Sequence, residues 1–245
     1  MLILRNLWPA FKATFVPFAV LAGAAGLLIW LRRDALANFP MGPESMQTAL
    51  LLILILLPLV VFVLSWVAVT WHRFVLLEEE PGFFPALKNR PVWRYVWRLL
   101  QVGLIYVVFF FIMSFISSLI VLPLVQLTGS FFIITTLWSI LINIIIGIIW
   151  FRLALVLPAA SVGKPITISE SVDATSDIGR TLIGVIIILS VLQIGLSYAI
   201  QSISFMSLSV ADILSLVLQW FTLLLGISML TTLYGHLVEG RDLPQ

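Results

Sequence analysis

Cysteine is absent from the 245 residues. No disulfide, thiolate metal site, iron–sulfur cluster or covalent haem attachment can form without it. Charge is also scarce. Asp, Glu, Lys and Arg make up 10% of the chain, against roughly a quarter of an ordinary soluble domain. With 62% hydrophobic residues and a mean hydropathy of +1.18, there are too few polar side chains to cover a water-facing surface. That excludes a cytosolic enzyme, a disordered protein and a nucleic-acid binder. The alternating ten-residue segments of a membrane β-barrel are missing too. What the chain does have is long apolar runs, which imply an integral membrane protein made of helices.

Six runs are long enough to cross ~30 Å of hydrocarbon at 1.5 Å per residue. They cover residues 13–31, 47–70, 99–127, 131–157, 181–202 and 211–234. The expected fold is therefore all-α: one domain over residues 1–245, a bundle of six transmembrane helices with short amphipathic helices at one surface. Pro17 and Pro58 fall inside the first two spans, where a missing N–H kinks a helix. The cations sort by side. Arg5, Lys12, Arg73, Lys88, Arg90, Arg94, Arg98, Arg152, Lys164, Arg180 and Arg241 fall on one side, and only Arg32 and Arg33 on the other. The positive-inside bias puts the larger set, and with it both termini, in the cytoplasm. The basic start and Ala35-Leu36-Ala37 imitate a signal peptide and its cleavage site. The long apolar stretch, followed by Arg32-Arg33-Asp34, argues against cleavage.

Chemistry-bearing patterns are scarce. There is no zinc-protease helix, phosphate loop, serine elbow or glycine-rich nucleotide loop. His72 and His236 sit at helix ends, too shallow for paired haem ligation, and read as interfacial anchors. No ionisable residue falls near the middle of a span, where a coupled pump would need one. Asp212 reads as an end group, with Ser209 three residues before it as a capping box. Asn143, Gln193, Gln219, Ser114, Ser117 and Ser118 are expected to hydrogen-bond between helices. Ala22-Gly23-Ala24-Ala25-Gly26 allows close helix approach, within the chain or with a partner.

Two connections hold most of the charge. In the first, Pro91 can open a helix on which Arg90, Arg94 and Arg98 recur every fourth residue, beside Trp93 and Trp97. This pattern fits an interfacial helix whose arginines reach anionic lipid headgroups and whose indoles lie at the polar boundary. Ordinary positive-inside anchoring explains the same residues. Ahead of it, Glu78-Glu79-Glu80 reads as a solvated charge run closed by Pro81-Gly82. In the second connection, Thr167-Ile168-Ser169-Glu170 is a capping box that predicts a short helix to about Ile178. Glu170, Asp173 and Asp177 then share one face, while Ile168, Val172 and Thr175 suit the bundle side. With no histidine nearby, the acidic face is expected to pair with the arginine stripe rather than hold a metal.

Spans two, four and six end alike: Trp71-His72-Arg73-Phe74, Trp150-Phe151-Arg152-Leu153 and Tyr234-Gly235-His236-Leu237. The pattern aromatic, any, basic, apolar returns after 79 and then 84 residues, which suggests three helical hairpins in parallel. Generic interfacial anchoring produces the same pattern.

The segment Arg152-Leu153-Ala154-Leu155-Val156-Leu157-Pro158-Ala159-Ala160, continued by Gly163-Lys164-Pro165, Glu170-Ser171-Val172-Asp173-Ala174-Thr175 and Arg180-Thr181-Leu182-Ile183-Gly184, carries a resemblance. So does Trp71-His72-Arg73-Phe74-Val75-Leu76-Leu77-Glu78. Together they resemble poorly characterised multi-pass proteins of the bacterial inner membrane, the YciC-like proteins and the membrane domain attached to some glycerophosphodiester phosphodiesterases. The resemblance covers about a quarter of the chain. It implies a bacterial six-helix inner-membrane protein and no catalysis, because the phosphodiesterase chemistry of those proteins belongs to a separate soluble domain. The expected function is non-catalytic, with no cofactor: binding of phospholipid, anionic by the arginine stripe, or of another membrane complex, as an accessory, assembly or scaffold subunit. The alternative is a transporter or channel for a small or lipid-like solute.

Overall fold

The computed structural model describes residues 2–36, 43–204 and 208–242, and these are helical with no strand. The helices are α1 (Leu2–Arg5), α2 (Leu7–Leu31), α3 (Arg33–Leu36), α4 (Pro43–Leu77), α5 (Val92–Thr128), α6 (Phe131–Leu153), α7 (Val156–Ser161), α8 (Ile168–Ala174), α9 (Gly179–Ser204) and α10 (Leu208–Leu237). Six stretches are long and apolar enough to cross a membrane: α2, α4, α5, α6 continued through α7, α9 and α10. Leu54, Phe115 and Ile188 are typical of their outward faces, each about two-thirds exposed or more. Surface of that kind is tolerated in lipid and not in water. The chain is a multi-pass membrane protein. Ala37, the last residue of the signal-like motif, lies outside the described residues.

The spans run longer than hydropathy alone implies, because polar first and last turns extend the helices past the apolar stretch. Pro17, Pro58 and Pro123 all lie inside helices that continue through them. The arginine-bearing stretch after Pro91 runs into the third span without a break, as expected. It forms the first turns of α5, a single helix of 37 residues.

The chain divides into two compact units, residues 1–97 with 160–164, and residues 98–159 with 165–245. In the first, α2 packs along α4, and α1 and α3 attach at their ends. In the second, α9 packs on both α10 and α6, and α8 lies against α6. A left-handed Gly129 (φ +67°) makes the tight turn from α5 to α6. These two helices meet where Trp138 donates its indole N–H to Ser117 Oγ at 2.7 Å and where Tyr106 and Trp150 stack edge to face.

Two helix ends share a device. At α10, the Arg241 N–H returns to the Gly235 carbonyl at 2.9 Å through a left-handed Gly240 (φ +67°). At α4, the Glu79 N–H returns to the Arg73 carbonyl at 3.4 Å, and the left-handed residue is Glu78 (φ +56°). The span-end motif aligns Arg73 with His236, whereas the closing bonds align Arg73 with Gly235. The ends therefore match with a slip of one residue. A Cβ in the left-handed region costs ~1 kcal/mol or more that glycine avoids. Glu78→Gly should raise the unfolding free energy by about 1 kcal/mol, read as a higher thermal midpoint in detergent.

Candidate functional site

The basic end of the first unit is organised around Glu79. Leu77 ends α4, the left-handed turn at Glu78 reverses the chain, and Glu79 swings back under Arg73. Arg73 donates from Nε to Glu79 Oε2 at 3.1 Å, and its Nη1 donates to the Ser161 carbonyl at 3.0 Å. Arg90 pairs with the same carboxylate. The Arg73 hydrogen bond, together with the positive charges of Arg90 and Arg73, holds the Glu79 carboxyl below its ordinary 4.5, against an opposing push from burial. Glu79 is therefore not part of a solvated run, which is a correction to the sequence reading.

The loop is pinned again where Trp66 Nε1 donates to the Pro85 carbonyl at 3.2 Å. His72 is not at the interface either. It is fully buried, with Nε2 3.4 Å from the Tyr95 hydroxyl. His236 does stand at the surface, its Nδ1 2.9 Å from the Arg241 carbonyl.

The arginines of the predicted stripe are engaged to different degrees. Arg90 lies ahead of α5 and is committed to Glu79, so it leaves the predicted stripe. Arg94 is exposed, and among the described residues it has no ion pair. Arg98 is half-buried and donates to Gln101 Oε1 at 3.0 Å. Trp93 and Trp97 are 73% and 62% exposed, with one face of Trp93 against Phe62 at 5.4 Å. Of the predicted group, Arg94, Trp93 and Trp97 are exposed and Arg98 is half-buried.

In the second unit, the capping box forms as expected. Thr167 N–H donates to Glu170 Oε2 at 2.7 Å, and Glu170 N–H donates to Thr167 Oγ1 at 3.2 Å. The Thr167 backbone bond holds the Glu170 carboxyl below its ordinary range. The helix stops at Ala174, short of Ile178, because the Thr175 and Ser176 N–H groups close it with turn bonds to Val172 and Asp173. Asp177 therefore falls past the helix end and does not share the face of Glu170 and Asp173. Glu170 itself is occupied by the cap. The side against the bundle is centred on Ser171 and Thr175, with Ser171 Oγ donating to the Arg152 carbonyl at 2.6 Å.

Arg152 Nε is buried with no hydrogen-bond partner among the described residues, and its Nη2 would lie 3.6 Å from a Cβ on Gly179. Among the described residues, no cluster of three or more His, Asp or Glu is placed to hold a metal.

Two recesses of this unit lie toward its other end. Gly147 lets α6 close on α9 so tightly that a Cβ there would stand 3.0 Å from Ile186 Cδ1. Past that contact, away from the basic end, the helices leave two clefts. One of about 930 Å³ lies between α6 and α9, and one of about 560 Å³ lies between α9 and α10. Asn143 and Gln193 line the larger cleft, and Gln193 and Gln219 the smaller.

This corrects the expectation of polar groups bonded between helices. Among the described residues, Ser117 alone of this set makes such a bond, to Trp138. Asn143 donates to the Ser139 carbonyl and Ser118 to the Phe115 carbonyl, both within their own helices. Asp212 lies in the second turn of α10, which begins at Leu208. The Ser209 side chain lies outside the described residues. In α2, a Cβ on Gly23 or Gly26 would meet no neighbour among the described residues.

The signal for the clefts is present in the sequence, in spacing. Ser190, Gln193 and Ser197 recur at i, i+3 and i+7, as do Asp212, Ser215 and Gln219. Gln193 and Gln219 each stand thirteen residues from position 206, and Ser197 and Ser215 nine. α9 and α10 pack together, and Gln193, Ser197, Ser215 and Gln219 line one cleft. No family model, curated protein or solved structure matches this chain.

Proposed function

We propose that this is a non-catalytic protein of the bacterial inner membrane that acts by binding anionic phospholipid, serving a membrane complex as an accessory, assembly or scaffold subunit. The observation that carries the reading is the exposed group Arg94, Trp93 and Trp97 on the first turns of α5, with Arg98 one turn further. Cations there gain ~1 kcal/mol each beside anionic headgroups, and indoles settle at the polar boundary. The distribution of Lys and Arg supports a cytoplasmic position for this end and both termini. The resemblance to the YciC-like proteins supports the bacterial inner membrane.

Arg94→Glu with Arg98→Glu should lower retained phosphatidylglycerol and cardiolipin roughly thirtyfold, as removal of ~2 kcal/mol implies. Native mass spectrometry of protein purified in mild detergent measures it. Unchanged lipid content rejects the reading. A second reading, transport of a small or lipid-like solute, is favoured by the clefts lined by Asn143 and Gln193. Flux into proteoliposomes separates it from the first.

A further inference from the structure

We propose that the two clefts beside α9 form one binding slot for a lipid with an amine-bearing headgroup, entered from the membrane leaflet opposite the arginine-rich end. The slot is distinct from the Arg94 group in place and in the charge it selects.

The smaller cleft is the more polar of the two. Asp212 stands at its mouth, and Ser215, Gln219 and Thr222 descend from it on α10, facing Gln193 and Ser197 of α9. From Asp212 to Thr222 is ten residues, or ~15 Å along a helix, which is half of a ~30 Å hydrocarbon layer. Asp212, Gln193, Ser197 and Gln219 are exposed to the cleft, and among the described residues none of these side chains is hydrogen-bonded. An amide or hydroxyl left facing hydrocarbon without a partner costs ~2–7 kcal/mol. An acyl chain or a bare apolar helix would leave that cost in place. The occupant must therefore bring donors and acceptors of its own.

Among the described residues that line the slot, the one formal charge is the Asp212 carboxylate, which accepts and never donates. It complements an ammonium group and opposes a headgroup of net negative charge. The amides of Gln193 and Gln219 both donate and accept, which suits the ester carbonyls and phosphate oxygens below such a headgroup.

The larger cleft decides between a free amine and a lipid. It shares Gln193 and Ser197 with the smaller cleft, but its other walls are chiefly Phe132, Ile140, Ile187, Val191 and Ile194. A small soluble amine has no use for that apolar wall, whereas an acyl chain does. A more polar and a more apolar recess joined along one helix edge match the two halves of an amphiphile.

The test uses the full chain, delipidated in detergent and titrated with phosphatidylethanolamine, phosphatidylglycerol or free ethanolamine, with bound species counted by native mass spectrometry. The expected result is preferential retention of phosphatidylethanolamine, lost at least tenfold in Gln193→Leu with Gln219→Leu. Leucine is at ease in hydrocarbon, so these variants keep the fold. Asp212→Asn should retain lipid but bring the two phospholipids to equal affinity. Retention of phosphatidylethanolamine unchanged in the leucine variant overturns the slot. Free ethanolamine displacing the lipid at equal concentration overturns the choice of a lipid. Phosphatidylglycerol held through Arg94 is scored separately, so failure at either site is visible without the other.

Discussion

Glu79→Gln should cost about 2 kcal/mol of stability and loosen the whole loop from Glu78 to Pro91. A glutamine keeps the shape and gives up the charge that two arginines share. Hydrogen bonds to charged groups contribute ~1.5–3 kcal/mol each, so losing the charge weakens both partners at once. Arg73→Ala should cost more, about 3 kcal/mol, because the same guanidinium also holds the Ser161 carbonyl. Amide exchange at Glu79 and Arg90 should quicken in both variants, while exchange in α10 stays as it was.

Acid gives the same result without mutation, and its direction follows from the pairing. The Glu79 carboxyl sits below its ordinary 4.5 when folded, so the clamp is at full strength above that value. Its contribution drains away as pH falls from 4.5 through the folded value. Wild type and Glu79→Gln should thus differ by a constant amount above pH 4.5 and converge below it. Curves that stay parallel into acid would remove the Arg73–Glu79–Arg90 cluster as the source.

Gly147→Val should be the most disruptive single change in the second unit, by about 3 kcal/mol. Even a lone Cβ would stand 3.0 Å from Ile186 Cδ1 and 3.2 Å from two further atoms of that side chain. Helices in lipid associate through close van der Waals packing rather than exclusion from water, so a gap of one methyl group is felt in full. Overpacking costs ~1–3 kcal/mol, and a branched side chain lies at the upper end. Ile186→Ala should restore much of the loss when combined with Gly147→Ala, a coupling that a double-mutant cycle in detergent reads directly. Strict additivity of the two changes would mean the contact does not set the spacing of α6 and α9.

The six spans were legible because lipid imposes a one-dimensional code, length and apolarity, which a sequence writes plainly. Side-chain partners were harder to read. Glu79 looked solvated because its pairing runs through a left-handed Glu78, a conformation that glutamate seldom adopts and that no neighbouring residue announces. Arg90 was placed on the stripe by a four-residue period that holds only if the helix has already begun, and it begins two residues later. Asp177 failed for the matching reason at the other end of α8. Gln193 and Gln219 were recognised as polar groups within spans, but a period gives a face and not what stands opposite it. Their equal distances from position 206 carried that information, which becomes usable once α9 and α10 are taken as a hairpin.

At 1.5 Å per residue, the 37 residues of α5 extend ~56 Å, almost twice the depth of an average hydrocarbon layer. Such a rod can satisfy a bilayer only by leaning over or by standing proud of it, and either choice depends on thickness. Thin membranes would push Trp97 and Arg98 further into the aqueous phase, and thick ones would draw them under. The exposure of those side chains is thus tied to bilayer thickness through the length of one helix.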